Sequence, residues 1–285
     1  MQPTPSIARE PLDDEIDVFG LSHVGKVRPD NQDRFLLATI HKRVQLIDSN
    51  LDQENLPSGE QRLAFVAMIA DGVGRGIGGA DASATTIETV MQYVNDTIHV
   101  YHSAREDEAE FTELLQRAAM RAHEAVVRRR QAQGITGTMA TTLTMYIGIW
   151  PTYYLLQLGD SRYYVWRGGK LTQVTRDQTM AQDLVDDGVL TRAAAARTPM
   201  ASVLSSAIGA ENTDPVVTRL RADWHNVHLM CSDGLTRHVT DERIAEVLGS
   251  MTSSKQAAEQ LLEEALDAGG SDNITIIIGR AVPKQ

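Results

Sequence analysis

Cysteine is almost missing from this sequence: Cys231 is the only one in 285 residues. No disulfide framework can form within the chain. Cys231 lies in an apolar run with no basic neighbour to lower its pKa, so it reads as a buried structural thiol and not a nucleophile. Basic residues are also outnumbered, 27 against 38 acidic ones, for a formal net charge of −11. That balance argues against non-specific nucleic-acid binding. No apolar run approaches the length of a membrane span, and the N-terminus carries no signal-peptide core. The expectation is a cytoplasmic protein, or a domain facing the cytoplasm, with no membrane span and no nucleic-acid partner. No internal repeat and no linker divides the chain. Residues 1–15, proline-bearing and poor in apolar side chains, are expected to form a flexible tail, with residues 16–285 as one domain.

What the chain does contain is a set of apolar runs that break at aspartate. Ile69-Ala70-Asp71-Gly72 and Met230-Cys231-Ser232-Asp233-Gly234 are the clearest. A short apolar run reads as a buried strand, and glycine directly after it reads as a sharp exit. Leu158-Gly159-Asp160-Ser161 repeats the idea, and Asp272 precedes the run Ile274-Thr275-Ile276-Ile277-Ile278. Each aspartate is therefore expected at a strand end, facing a cleft. Four carboxylates converging there without partners would repel one another and resist ionisation. Bound divalent cations are the simplest relief.

The order of elements decides the fold class. Strands are expected near residues 16–22, 35–38 and 63–70. Two helices follow, one after the five glycines of residues 72–79 and one near 107–133. Then come strands at 138–150, 153–158, 162–167 and 171–174, a loop-like stretch at 177–215 with short helices expected at 182–189 and 193–196, two more strands, two helices and a last strand at 274–278. Thr240 is placed to cap the first of the late helices. This order is not the regular alternation of a parallel doubly wound sheet. It predicts an α+β fold of antiparallel sheets with helices on their outer faces.

Oxygen ligands without histidine or cysteine favour Mg²⁺ or Mn²⁺ over Zn²⁺. Two such ions about 3.5–4 Å apart can lower the pKa of a shared water and hold a phosphate for in-line attack. Asp71 suits the bridging role, because Gly72 lets the backbone carbonyl approach an ion. Arg28 could fork onto two phosphate oxygens.

The motifs also resemble a family when taken together. Gly25-Lys26-Val27-Arg28-Pro29-Asp30-Asn31-Gln32-Asp33, Ala70-Asp71-Gly72-Val73-Gly74, Met139-Ala140-Thr141-Thr142, Leu158-Gly159-Asp160-Ser161-Arg162, Cys231-Ser232-Asp233-Gly234-Leu235-Thr236 and Ser271-Asp272-Asn273-Ile274-Thr275 resemble, in order and spacing, the motifs of metal-dependent type 2C serine/threonine protein phosphatases, the bacterial branch in particular. The resemblance implies a four-layer α/β/β/α sandwich with a binuclear Mn²⁺/Mg²⁺ centre, two ions held tightly and a third more weakly. It implies hydrolysis of phosphoserine and phosphothreonine by a metal-activated water, with phosphorylated proteins as substrates and a serine/threonine kinase as antagonist; a monomer is expected separately. By position, Asp71, Asp233 and Asp272 would be the catalytic carboxylates. Asp71 would bridge the ions, Gly72 would bind through its carbonyl, and Asp160 would anchor the weaker ion. Asp33, Gln32 and Asn273 would support the ligands, Arg28 would bind substrate phosphate, and residues 177–205 would form a flap.

Several positions depart from the pattern. Gln32 stands where many members have Glu, Arg75 and Gly76 where Gly-His is usual, Ala80 for Glu, Ala140 for Gly, and Gln178 where His is common. None is a direct ligand, so activity is expected. The alternatives are a pseudophosphatase that only binds phosphoproteins, and a hydrolase of small phosphoesters.

Overall fold

The computed structural model describes residues 9–45, 59–74, 78–103, 108–195 and 197–284. Its elements follow the apolar pattern. β3 (Gly59–Ala70) shows why a strand can read as a nearly unbroken apolar run. Ala64, Val66, Met68 and Ala70 face one core, while Ala67 and Ile69 face another. Successive side chains of a strand point to opposite faces, so a strand buried on both sides loses its polar alternation.

β3 lies in one of two five-stranded antiparallel sheets. Its sheet also holds β2 (Arg34–Val44), β6 (Leu143–Ile149), β7 (Thr152–Leu158) and β10 (Val216–Arg221), in the order β10-β7-β6-β3-β2. The other sheet holds β1 (Ile16–His23), β8 (Arg162–Arg167), β9 (Lys170–Gln173), β11 (Val227–Cys231) and β12 (Ile274–Ala281), in the order β1-β12-β11-β8-β9. Register is explicit at the outer pair, where Ile16 faces Ala281 and His23 faces Ile274.

Helices cover each sheet on its outer side. α1 (Gly78–Ser103) and α2 (Glu108–Ala132) bury Val90, Val94, Leu114, Leu115 and Ala118 against the sheet of β3. α6 (Asp241–Ser250) and α7 (Ser254–Asp267) bury Ile244, Val247, Ala258 and Leu261 against Leu229, Ile276 and Ile278. Between the sheets, Ala67, Ile69, Leu155, Tyr163, Met230 and Ile277 form a third core. The result is the expected α/β/β/α sandwich. Thr240 caps α6 by accepting the Arg243 amide proton, at 3.3 Å.

Three local features differ from the expectations. The strand expected over residues 138–150 breaks at Thr142 into β5 (Met139–Thr141) and β6. β5 pairs with β4 (Gly72–Gly74) in a separate two-stranded ribbon, so the glycine-rich stretch begins as strand. The short helices expected at 182–189 and 193–196 are found, shifted slightly towards the N-terminus, as α3 (Met180–Asp186) and the single turn α4 (Arg192–Ala195), and a 3-10 turn, Pro199–Ser202, follows. Asp233 opens another helical turn, α5 (Asp233–Thr236), directly after β11. Among the described residues no helix is long and apolar enough to cross a membrane.

Of the stretch expected as a tail, residues 1–8 lie outside the described residues, whereas residues 9–15 are seated on the sandwich. Glu15 is 2% exposed, and its carboxylate accepts two bonds from the Arg9 guanidinium (2.5 and 2.6 Å) and one from the Leu12 amide (2.9 Å). The Arg9 carbonyl accepts from the Trp224 indole at 2.9 Å, and the Glu15 carbonyl from the Val282 amide at 2.7 Å. These bonds, Arg9 first, hold the Glu15 carboxyl at about 2, below its ordinary 4.5. A lowered carboxyl pKa stabilises the fold above the unfolded value and loses that contribution as pH falls towards the folded one. Glu15→Gln is therefore expected to melt below wild type at neutral pH, with the gap closing between about pH 4.5 and pH 2. Thermal melts of both proteins across that range check this, and a gap independent of pH would refute it.

Candidate functional site

Topology gathers the aspartates at one end of the sandwich. Asp71 follows the last residue of β3. β7 runs parallel to β3, two strands away in the same sheet, so Asp160 leaves at the same end. In the other sheet Asp233 follows β11, and β12, antiparallel to β11, begins just after Asp272. Asp33 precedes β2, whose Arg34 pairs with Ala70.

The shifts in acidity express this crowding. Asp71 is raised well above the ordinary carboxylate range, by desolvation first and then by the charges of Asp33, Asp233, Asp160 and Asp272. Asp160 rises to about 7 through desolvation and then through Asp233. Asp33 is 2% exposed and rises to about 6 through burial, although Thr275 Oγ1 (2.7 Å) and Ser232 Oγ (2.8 Å) donate to its Oδ2. Desolvation raises Asp233 too, against the opposing pull of Arg237. Asp33 Oδ1 and Asp233 Oδ1 are both buried without a hydrogen-bond partner among the described residues.

Arginines answer part of this charge. Arg28 forks onto Asp272, Nε to Oδ1 at 2.8 Å and Nη2 to Oδ2 at 2.7 Å. Arg237 pairs with Asp233 one helical turn back and donates to Asp272 Oδ2 at 3.2 Å. Among the described residues, no three acidic, imidazole or thiol side chains close on one point tightly enough to ligate an ion in this arrangement. The donor set still suits a hard divalent cation: it is all oxygen, mutually repelling, and has two buried oxygens unbonded.

The neighbouring motif residues hold the candidate ligand positions in place. Thr141 Oγ1 (2.8 Å) and the Thr142 amide (2.9 Å) donate to the Asp71 carbonyl, and the Asp71 amide donates to Thr142 Oγ1 at 2.9 Å. Asn273 Oδ1 accepts the Gln32 amide at 2.8 Å, while its Nδ2 donates to the carbonyls of Val24 (2.8 Å) and Asp30 (3.0 Å). That joins the loop of Arg28 to the start of β12. Gly159 has φ +95°, and a Cβ there would lie 2.5 Å from the Thr142 methyl, so the turn before Asp160 needs glycine. Gln178 takes up that turn: its Oε1 accepts the Gly159 amide at 2.7 Å.

Beside the carboxylates opens a cavity of about 810 Å³. Asp160, Asp233 and Arg237 line one side, and Thr179, Gln182 and Arg192, from residues 177–205, line the other. Arg237 was not singled out from sequence; the signal available was its position four residues after Asp233 in a helical turn. His238, next to it, faces outward to Ser271, accepting its amide proton at 3.0 Å. Arg75 and Gly76 lie outside the described residues.

The chain matches protein phosphatase 2C over residues 53–268, a span that includes Asp71, Asp160 and Asp233. It is 31% identical over 231 residues to the serine/threonine protein phosphatase PstP of Mycobacterium tuberculosis, covering 81% of this chain and 42% of that protein. The chain thus spans less than half the length of that relative. The solved structure of the Mycobacterium tuberculosis phosphatase PstP/Ppp superimposes with a TM-score of 0.74 at 27% identity, covering 94% of this chain and 99% of that one. The PstP catalytic domain solved in complex with two manganese ions gives a TM-score of 0.72 at 27% identity, with the same coverage. With most of its length matched, on the same layered fold, this chain belongs to the protein phosphatase 2C family.

Proposed function

We propose that this chain is a metal-dependent protein phosphatase that hydrolyses phosphoserine and phosphothreonine and so opposes serine/threonine kinases, working as a single chain. The observation that carries the reading is the crowd of aspartates at one end of the sandwich, each raising the pKa of Asp71 by its charge, with oxygens of Asp33 and Asp233 buried and unbonded. Asp71, Asp233, Asp272 and the Gly72 carbonyl would hold two Mn²⁺ or Mg²⁺ ions, and Asp160 would hold a weaker third. Such ions, when bound, let neighbouring carboxylates ionise together, acidify a coordinated water and neutralise phosphoryl oxygens.

The remaining work falls to the chain itself. Asp33, held through Oδ2 by Ser232 and Thr275 with its Oδ1 unbonded, would fix the orientation of the ligands. Arg28 binds substrate phosphate, for it already forks onto a two-oxygen anion, the Asp272 carboxylate, and phosphate offers the same geometry. The cavity under residues 177–205 gives a peptide room beside the aspartates. Every carboxylate the motifs require is present, which disfavours a module that only binds phosphoproteins. The deciding measurement is turnover of a phosphothreonine peptide with Mn²⁺, with Mg²⁺ and with EDTA, against a small aryl phosphate. Turnover that survives EDTA, or that is confined to the aryl phosphate, would reject the reading.

Asp71→Asn keeps shape but removes the charge shared by the whole cluster. It should lower phosphopeptide turnover at least about 100-fold while the melting temperature stays near or above wild type, because a buried repulsion is relieved. Near wild-type turnover with undiminished Mn²⁺ content would show that the centre lies elsewhere.

Arg28→Ala should raise KM about 10-fold or more, the weight of a charge-assisted fork, with metal content unchanged. Arg28→Lys should recover only part of this. A KM equal to wild type in the alanine variant would leave Arg28 as a partner of Asp272 alone.

A further inference from the structure

The two sheets do not close completely on each other. At the end away from the aspartates a cavity of about 120 Å³ remains between them. Small residues make the space: Ala67 on β3, Gly148 on β6 and Gly279 on β12 all line it. Gly148 cannot be enlarged without displacing a wall, since a Cβ there would lie 2.7 Å from the Tyr146 hydroxyl. The cavity is open to solvent on one side, so a small molecule can reach it.

Its lining has a definite chemistry. Phe65, Tyr146, Trp150, Tyr163 and Trp224 give aromatic walls. The rings already pack as rings do, Phe65 edge-on to Tyr146 at 6.4 Å and Tyr146 stacked on Tyr153 at 5.0 Å. On the floor, the Tyr163 hydroxyl and His228 Nδ1 share a hydrogen bond of 2.6 Å. Burial lowers His228 to about 4, so this imidazole is neutral at physiological pH. The Tyr146 hydroxyl makes no hydrogen bond among the described residues.

The charges at the rim are already engaged. Arg62 is held by Glu10 at 3.0 Å and by Asp13, Arg280 by Asp17 at 3.0 Å, and Asp223 by Arg167 at 2.9 Å. An ion entering the cavity would meet no uncommitted countercharge among these groups, which disfavours a charged occupant. An apolar cavity of about 150 Å³ takes up benzene. Here one wall adds a hydroxyl with spare bonding capacity.

We propose that this cavity is a binding site for an uncharged single-ring aromatic molecule that carries one hydrogen-bonding group, its ring packed among the tyrosines and its polar group bonded to the Tyr146 hydroxyl. The site lies on β3, β11 and β12, the strands whose opposite ends carry Asp71, Asp233 and Asp272.

Phenol and benzene, titrated separately into the full chain and followed by calorimetry and NMR, test this. Both should bind saturably at one site, phenol about five-fold more tightly, the weight of one neutral hydrogen bond. Tyr146→Phe should abolish phenol's advantage and leave benzene affinity unchanged. Ala67→Leu, which fills the space, should abolish binding of both. If Ala67→Leu does not fold, the comparison of wild type with Tyr146→Phe decides. The proposal is overturned if neither probe saturates the wild-type protein, which means the cavity holds water only. It is also overturned if Tyr146→Phe keeps phenol's preference, or if folded Ala67→Leu still binds either probe.

Discussion

Repulsion between like charges taken partly out of water is the constraint on which this structure turns. The pKa values of Asp33, Asp71, Asp160 and Asp233 are each raised above the ordinary carboxylate value, and in each the largest cause is desolvation. A fold left to optimise stability alone would not gather them, because one partnerless buried charge costs several kcal/mol on the order-of-magnitude scale. Six motif segments, scattered from Gly25 to Thr275, exist to hold that arrangement. Thr141 and Thr142 grip the Asp71 backbone, Ser232 and Thr275 grip Asp33, and Asn273 ties the Arg28 loop to β12. The cost is carried by the three cores around the sheets, whose strands end at the site.

Much of this was legible in sequence because strand ends leave a strong mark. An apolar run broken by Asp-Gly says both that the strand is buried and that the carboxylate is not part of its core. Asp71 and Asp233 could be found that way, and their surroundings are as the pattern implies. Antiparallel sheets with helices on their outer faces were legible from the order of runs, since antiparallel sheets need no alternation with helices, whereas the four-layer sandwich came from the family resemblance. Cys231 was legible as a structural thiol: it is fully buried, and burial pushes it to about 12.

What escaped was non-local or too short to have a period. β4 and β5, three residues each, have no alternation to read, and only their pairing defines them. The break at Thr142 that separates β5 from β6 serves Asp71, a residue 71 positions earlier. The seat of residues 9–15 rests on Trp224, more than two hundred residues away. Low apolar content correctly said that this segment adds little to a core. It could not say that Glu15 would be buried against Arg9, because a buried ion pair looks, in sequence, like two solvated charges.

Arg28 and Arg237 show where sequence reading and electrostatics meet. From sequence, Arg28 had one role, binding phosphate, and Arg237 had none. In the structure both guanidiniums sit on Asp272, and Arg237 also pairs with Asp233. These two aspartates pair directly with arginine, whereas the largest charges acting on Asp71 are those of other carboxylates, with Arg28 only a weaker, more distant counterweight. The cluster is therefore polarised: its outer members are paired with arginine, and its inner member is offset much less. A compact cation would gain most at the less compensated centre, and a dianion most at the arginine rim. Neither half of the cluster alone accounts for the placement of the other, and it is the gradient of charge from Asp71 outward that gives the site its direction.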